Sequence, residues 1–589
     1  MTRGSAPELT VRAALTGTLL GAVLSLCNIY SGLKIGWGFN MSITAALLAF
    51  GFWRAARVAG APAFGKLENN INQTAASAGA SISSAGLVSA IPAMTMLTGR
   101  TLGFVELASW TFLISMVGVL VGIGMRRQMI EVDRLPFANG IASAETLDRM
   151  YSSGEEAIRK VLALLGAGVL AAAWKTVVHF APIRHLALPG AFNAGARVVT
   201  PMNLTVAIDP SPLMIAVGSL GSLRTGVSML AGAVCAWLVL GPLALSSGWV
   251  ELGEVSASGP WFKELVTWLL WPGVAMMVVG SLVSVAFSWR SIARTFTGGS
   301  ASESESPSGE ASPASDVVPR RTYYALALVV VALVAVGQVV LFDIAWWAAI
   351  LAVLLTWVLA AVAGRVSGET SLTPVGAMGK VTQLVFGLLV PANPTANLMS
   401  ANVTGGAASQ SADLLHDLKA GTLLGASPRR QAIAQSCGIV GGALAGSAAY
   451  LVLLPDPASQ IGTAEWPGPA VITWRAVAEV FAGGISAMPP YALEAMIAGG
   501  VLGALLTVLE KTLPERARAF VPSPAAFGLG FVVQGWYAVS LFLGALIGWV
   551  LRRYAKVWSE RFLTPIAAGV IAGESLAGVS IAVHAILSA

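Results

Sequence analysis

The chain has 589 residues, 56% of them hydrophobic and 11% charged, with a mean hydropathy of +0.75 and a net charge of +6. A soluble domain carries about a quarter charged residues, so a soluble globular fold is excluded and a multi-pass membrane protein embedded in a lipid bilayer is implied. The basic residues are scattered at the ends of apolar runs, which speaks against a nucleic-acid partner and for basic cytoplasmic loops.

Apolar runs of about 20 residues, enough to cross a ~30 Å hydrocarbon core, recur throughout, for example at 11–30, 104–125, 323–342, 346–363 and 432–454. The first follows Arg3 and Arg12 but has no small-x-small cleavage site, and Leu26 precedes Cys27 where a lipoprotein box needs a small residue. Residues 11–30 therefore read as a retained helix. Basic residues alternate along the first spans: Arg3 and Arg12, then Lys34, then Arg54, Arg57 and Lys66, then Arg100, then Arg126, Arg127 and Arg134. Basic-rich loops mark the cytoplasm, so the N-terminus is expected inside. The segment 298–316, GGSASESESPSGEASPASD, cannot bury enough surface to fold. With Arg320 and Arg321 after it, it divides the chain into an N-terminal membrane half (1–297), a flexible cytoplasmic linker (298–321) and a C-terminal membrane half (322–589).

The halves are related in sequence. Pro210-Ser-Pro, Gly218, Gly232-Ala and Trp237 recur without a gap, 312 positions later, as Pro522-Ser-Pro, Gly530, Gly544-Ala and Trp549. Asn72-x-Thr74 recurs as Asn402-x-Thr404. A finer repeat aligns Gly118 to Arg127 with Gly544 to Arg553. The proline hairpin after each, Pro136 to Leu147 and Pro565 to Leu576, places Glu145 opposite Glu574. The expected fold is all-α and polytopic, with about 16 transmembrane or re-entrant segments in two related halves, the duplicated build of secondary transporters. Residues 210–221, 522–530 and the stretch from Trp271-Pro-Gly are short, proline-containing segments, expected as half helices lining a cavity.

Polar groups concentrate in two places. Glu68, Asn69, Asn70, Asn72, Gln73 and Thr74 open the third span. Asn393, Asn397, Asn402, Thr404, Gln410, Asp413, His416, Asp417 and Lys419 form the counterpart in the second half. Such side chains are costly against lipid, so they face each other or water. Amides and hydroxyls without fixed charge suit a dehydrated polar substrate; bundle-holding hydrogen bonds are the alternative. Carboxylates within spans are rarer: Glu68, Glu145, Glu369, Asp417, Glu494 and Glu574. Burial disfavours a charged carboxyl, as a proton-coupled carrier requires, with Lys34, Lys175, Lys380 and Lys419 as possible partners. No P-loop, HExxH or GxSxG motif occurs, the four histidines lack ligand spacing, and the three cysteines sit in apolar runs. An enzyme, a cofactor and a resident metal are not expected.

The blocks Asn28-Ile-Tyr-Ser-Gly-Leu-Lys34, Glu68-Asn-Asn-Ile-Asn-Gln-Thr-Ala-Ala-Ser-Ala-Gly79, Leu135-Pro-Phe with Glu145, and Asp417-Leu-Lys-Ala-Gly421 with Pro428-Arg-Arg-Gln431 resemble the oligopeptide transporter (OPT) family, in its prokaryotic branch related to yellow-stripe-like metal-chelate carriers. The resemblance covers nearly the whole chain. It implies a duplicated all-helical carrier that moves small peptides or metal–amino-acid chelates, usually with protons. Two departures stand out. Pro136-Phe-Ala-Asn-Gly140 replaces the family's Pro-Phe-Pro-Glu-Gly and so lacks one carboxylate, and Thr373-Pro-Val-Gly-Ala-Met378 replaces Asn-Pro-Val-Ser-Gly-Met. The expectation is a secondary active importer in the cell membrane. Asn69, Asn70, Asn72, Gln73, Thr74, Asn397 and Asn402 would line the substrate path, and Glu145, Glu574 and Glu68 would carry or gate the proton. A passive channel, a divergent carrier of another polar solute and a membrane-embedded enzyme are the rivals.

Overall fold

The computed structural model describes residues 7–36, 38–152, 154–181, 185–194, 197–252, 255–256, 258–287, 318–370, 373–463, 465–484 and 488–588. Most of the expected linker, 298–317, lies outside these. The helices of the first half are α1 (Val11–Ile35), α2 (Ser42–Val58), α3 (Lys66–Ala80), α4 (Ala90–Thr98), α5 (Phe104–Arg126), α6 (Ala138–Ser152), α7 (Gly154–Phe180), α8 (Pro212–Leu220), α9 (Leu223–Ala233), α10 (Gly241–Ser246) and α11 (Phe262–Phe287). Those of the second are α12 (Arg320–Phe342), α13 (Trp346–Thr370), α14 (Val375–Leu389), α15 (Pro394–Leu424), α16 (Pro428–Leu453), α17 (Pro457–Gln460), α18 (Pro469–Gly483), α19 (Ala492–Thr512), α20 (Glu515–Arg518), α21 (Pro524–Leu529), α22 (Gly535–Tyr554) and α23 (Lys556–Leu587). Between α7 and α8 lie two antiparallel strand pairs, β1 (Leu186–Ala187) with β4 (Ala207–Ile208) and β2 (Phe192–Ala194) with β3 (Arg197–Val199).

Among the described residues, 12 helical stretches are long and apolar enough to cross a membrane. Helices α2, α14 and α18 are shorter, and α15, at 31 residues, is long but polar. Together these account for a polytopic all-α bundle of the expected size. Its outer surface is apolar: Leu162, Val169, Leu170 and Phe180 on α7 and Leu328, Val336 and Val340 on α12 are exposed, as lipid-facing residues are.

Helices α3 and α15 form the buried centre, and their surroundings are similar. Helix α3 packs on α1 and α2 of its own half and on α16 of the other; α15 packs on α13 and α14 of its own half and on α5 of the other. The 312-residue repeat holds in the helix boundaries: Ser211 precedes α8 and Ser523 precedes α21, each with proline at the first helical position, and α9 and α22 start at equivalent residues. Both α8 and α21 are short, as expected. The stretch at Trp271-Pro-Gly is not. Pro272 lies inside the continuous 26-residue helix α11, which α19 flanks along its length; neighbouring helices make a proline-freed carbonyl tolerable in a membrane helix.

Two glycines are required by close approach. Gly438 of α16 sits so near α3 that a Cβ would overlap the Ala75 carbonyl. After α3 the chain continues as a 3-10 turn (Ser81–Ala85) and reverses at Gly86, whose φ is +108° and whose absent Cβ makes room for the Asn402 amide. Gly438→Ala is expected to lower stability by roughly 2 kcal/mol through overpacking, read as an earlier thermal unfolding transition in detergent.

Candidate substrate cavity

The broken segments converge on a cavity of about 720 Å³. The first half contributes Asn28, Asn40 from the α1–α2 connection, Ser81 and Ser84 from the 3-10 turn, and Thr225 of α9. The second contributes Lys380 of α14, Ser409, Asp413 and His416 of α15, and Thr473 and Trp474 of α18. Where α3 ends, the 3-10 turn places Ser81 and Ser84 in this wall. Asn28 ties this same wall to the α1–α2 connection. Its Nδ2 donates to the Phe39 and Ala80 carbonyls at 3.0 Å each, and its Oδ1 accepts from the Phe39 N–H at 3.0 Å.

The wall carries unequal charges. Asp413 accepts from Ser81 Oγ at 2.5 Å. One turn further and out of the wall, Asp417 Oδ1 accepts from Gln73 Nε2 at 3.2 Å and Ser42 Oγ at 3.4 Å, while its Oδ2 is buried without a partner. All these donors are neutral. His416 Nε2 meets Ser367 Oγ at 3.0 Å, and its Nδ1 has no partner. Lys380 is 6% exposed, and its hydrogen bond is a long one, 3.5 Å, to the Gly376 carbonyl one turn back.

A second chamber of about 180 Å³ adjoins the first through Phe39, Asn40 and Asn139. It lies between α6 and α23, the two copies of the proline-hairpin repeat. Asn139 and Ala142 on one side occupy the repeat positions of Ala568 and Ile571 on the other. The space thus extends to where sequence-related helices face each other.

The seven residues expected along the substrate path are all buried, and none lines the cavity. Asn69 Nδ2 donates to the Ala46 carbonyl, and Asn72 Nδ2 to the Ala45 carbonyl and Asn69 Oδ1. Thr74 Oγ1 bonds the Asn70 carbonyl and accepts from Gln431 Nε2. Asn397 and Gln383 pair, with Asn397 Nδ2 donating to the Gln383 carbonyl at 2.6 Å, and Asn402 Oδ1 accepts from Trp110 Nε1 at 2.8 Å. Gln73 alone reaches the α15 acids, through Asp417. Asn70 Nδ2, Asn72 Oδ1 and Gln73 Oε1 keep unpartnered buried atoms.

The three expected proton carriers are scattered. Glu145 is exposed on α6 and pairs with Arg149 at 3.4 Å. Glu68 is locked at the start of α3: Thr10 Oγ1, Arg12 Nε and Arg12 Nη2 donate at 2.7 Å, and the Gly65 N–H at 2.8 Å. Glu574 is buried in α23, where it accepts from Ser211 Oγ at 2.5 Å and the Leu213 N–H at 2.8 Å, capping α8. Nearby, in the connection before α8, burial pushes the Asp209 carboxyl up and the His185 imidazole down; the two lie 3.7 Å apart. Breaking the Glu68 lock with Glu68→Gln is expected to cost roughly 2 kcal/mol in detergent unfolding, since Arg12 is left without its bidentate partner.

Sequence reading placed Asp413 and His416 in a polar cluster and Lys380 among partners for acids, but gave none of them to the substrate. Ser81, Ser84 and Asn28 were passed over. The available signal is Lys380, the one charged residue inside Val375–Leu389, and a serine-rich run where α3 should continue.

Broken helices around a cavity that holds charged and hydroxyl groups, inside a bundle with an apolar exterior, are the build of a membrane transport protein. The chain belongs to the OPT family: the family model described as "OPT oligopeptide transporter protein" matches residues 8–585. It is similar to "Putative oligopeptide transporter YGL114W" of Saccharomyces cerevisiae, with 24% identity over 97% of this chain and 95% of the relative. It is also similar to "Metal-nicotianamine transporter YSL2" of Arabidopsis thaliana, with 24% identity over 97% and 92%, and to "Probable metal-nicotianamine transporter YSL9" of Oryza sativa, with 24% identity over 97% and 88%. The chain is a multi-pass membrane transporter, not an enzyme.

Proposed function

We propose that the chain is a secondary active importer of small oligopeptides or metal–amino-acid chelates, driven by proton symport and working by alternating access in the cell membrane. Its N-terminus and the 298–321 segment would lie on the cytoplasmic side. The observation that carries this reading is the cavity: about 720 Å³, with charged and hydroxyl side chains set in a largely apolar lining, built from both halves and continuous with the space between two repeat-related helices. That volume suits a small-molecule ligand, and a site where repeats meet suits rigid-body exchange between two faces. The names of the relatives support the substrate range.

In this reading the cavity wall holds the substrate. The amides of α3 and α15 act one layer behind it, fixing the wall, and Gln73 among them holds Asp417. Two buried carboxyls are the proposed proton carriers, Glu574 from the repeat and Asp417 behind the cavity. The test is uptake into proteoliposomes with an acid exterior, using di- to pentaalanine and iron–nicotianamine as probes. Accumulation of at least one probe, abolished by a protonophore, is the expected result; equilibration without accumulation would mean a pore. In the same assay Glu574→Gln is expected to remove the acid-driven component and Glu145→Gln to retain it, and the reverse order would return the role to Glu145.

A further inference from the structure

The cavity contains a lysine and an aspartate that do not answer each other. Lys380 and Asp413 both reach its wall, and they stand on adjacent packed helices, α14 and α15. No ion pair joins them among the described residues: Lys380 Nζ reaches only the Gly376 carbonyl at 3.5 Å, and Asp413 accepts from Ser81 Oγ. Opposite charges held in one low-dielectric space attract strongly and, left alone, close on each other. Holding them apart makes sense when something of complementary charge fits between.

The surroundings give each charge a sign preference for its guest. Lys380 is nine-tenths buried and sits in the second turn of α14. Gly376, in the first turn of the same helix, lines the cavity beside it. Pro469 and Ala470 at the start of α18 and Thr225 at the start of α9 line it as well. The first turns of three helices of 11 or 15 residues therefore border the space Lys380 enters, the end of a helix that favours an anion, although at α9 Ser222 Oγ already takes the Thr225 N–H. The Asp413 side is the opposite. It carries the Asp413 carboxylate, to which no lysine or arginine bonds among the described residues.

We propose that Lys380, with the N-terminal turns of α14, α9 and α18, is the carboxylate-binding pole of the substrate site, and that Asp413 is the pole for a protonated amine. The site would thus select ligands that carry both groups. This deepens the carrier reading given above and rests on it for the identity of the cavity as the substrate site. Several arginines on the elements packed against α15 are engaged elsewhere, and among the described residues no lysine or arginine other than Lys380 lines the cavity. Arg365 binds Asp133 and Glu369, Arg475 binds Glu479, Arg126 binds Glu131, Arg149 binds Glu145, and Arg430 binds Glu8. Lys380 is the cation placed to receive a ligand.

The experiment is equilibrium binding to the purified full chain in lipid nanodiscs, with trialanine, trialanine amide and N-acetyl-trialanine as probes. The wild type is expected to bind trialanine at least about tenfold more tightly than either blocked form, the loss typical of leaving a buried charge without its partner. Lys380→Gln should abolish the preference for the free carboxylate while keeping the penalty for N-acetylation. Asp413→Asn should do the reverse, and Lys380→Arg should retain both. Equal binding of all three probes by the wild type, binding of none, or an unchanged acid-to-amide ratio in Lys380→Gln would overturn the assignment. The wild-type comparison needs no variant to fold. Discriminating binding without accumulation in proteoliposomes would leave the site standing and remove the symport reading. Accumulation of iron–nicotianamine with no trialanine binding would do the opposite.

Discussion

With the outside two pH units more acid than the lumen, proteoliposomes carrying the wild-type chain are expected to accumulate their substrate about 100-fold, and Asp417→Asn is expected to bring that ratio to one. The figure follows from coupling one proton per substrate, since each pH unit is worth about 1.4 kcal/mol and each such step is a factor of ten. Asp417 is the sharpest place for the coupling to fail. It is buried one turn from Asp413, and its carboxylate accepts only from the amide of Gln73 and the hydroxyl of Ser42. A charged carboxylate with no cation among its partners is expensive in such surroundings, so proton and charge must come and go together with a change in what Asp417 sees. Asparagine keeps the shape and removes the titrating group. Substrate exchange under counterflow should therefore survive in Asp417→Asn while uphill uptake does not. Full accumulation in that variant, with Glu574→Gln inactive, would move the coupling to α23.

The second large effect is on stability. Asn402→Ala is expected to destabilise the protein by about 2 kcal/mol and to leave substrate affinity within about twofold, within the spread seen for sites away from a ligand. Asn402 Oδ1 accepts from Trp110 Nε1 at 2.8 Å with both groups buried, and its amide occupies the space that Gly86 leaves by lacking a side chain. Alanine would leave the indole N–H unpaired and a void beside the turn that lines the cavity. Thermal unfolding in detergent and probe binding on the same preparation check both halves of the statement. A variant of normal stability that no longer binds would put Asn402 in contact with substrate.

Much of the architecture was legible in the sequence because it depends on local chemistry. Ser-Pro at equivalent positions marks the starts of α8 and α21, and small residues mark the tight α3–α16 contact. Pro272 misled because a proline signals a break only where no neighbour compensates for the lost hydrogen bond, and α19 lies alongside. The amide cluster in α3 shows a deeper limit. A polar face enclosed by protein and one facing water carry the same residues. Which of the two applies depends on α1, α2 and α16 closing around α3, a long-range matter with no trace in residues 68–74. The repeat likewise matched Glu145 with Glu574 by position. Yet α6 ends after 15 residues at an exposed edge, whereas α23 runs for 32 and is backed by α8. Equivalent sequence positions then have unlike burial.

The most direct test of the account labels the wall itself. In a chain with Cys27, Cys235 and Cys437 replaced, Ser84→Cys of the 3-10 turn should react with a membrane-impermeant thiol reagent, and a transported probe should slow that reaction, whereas Ala75→Cys, sealed between α3 and α16, should stay unreactive. Equal silence at both positions in either orientation of the protein would mean that no aqueous route reaches the cavity.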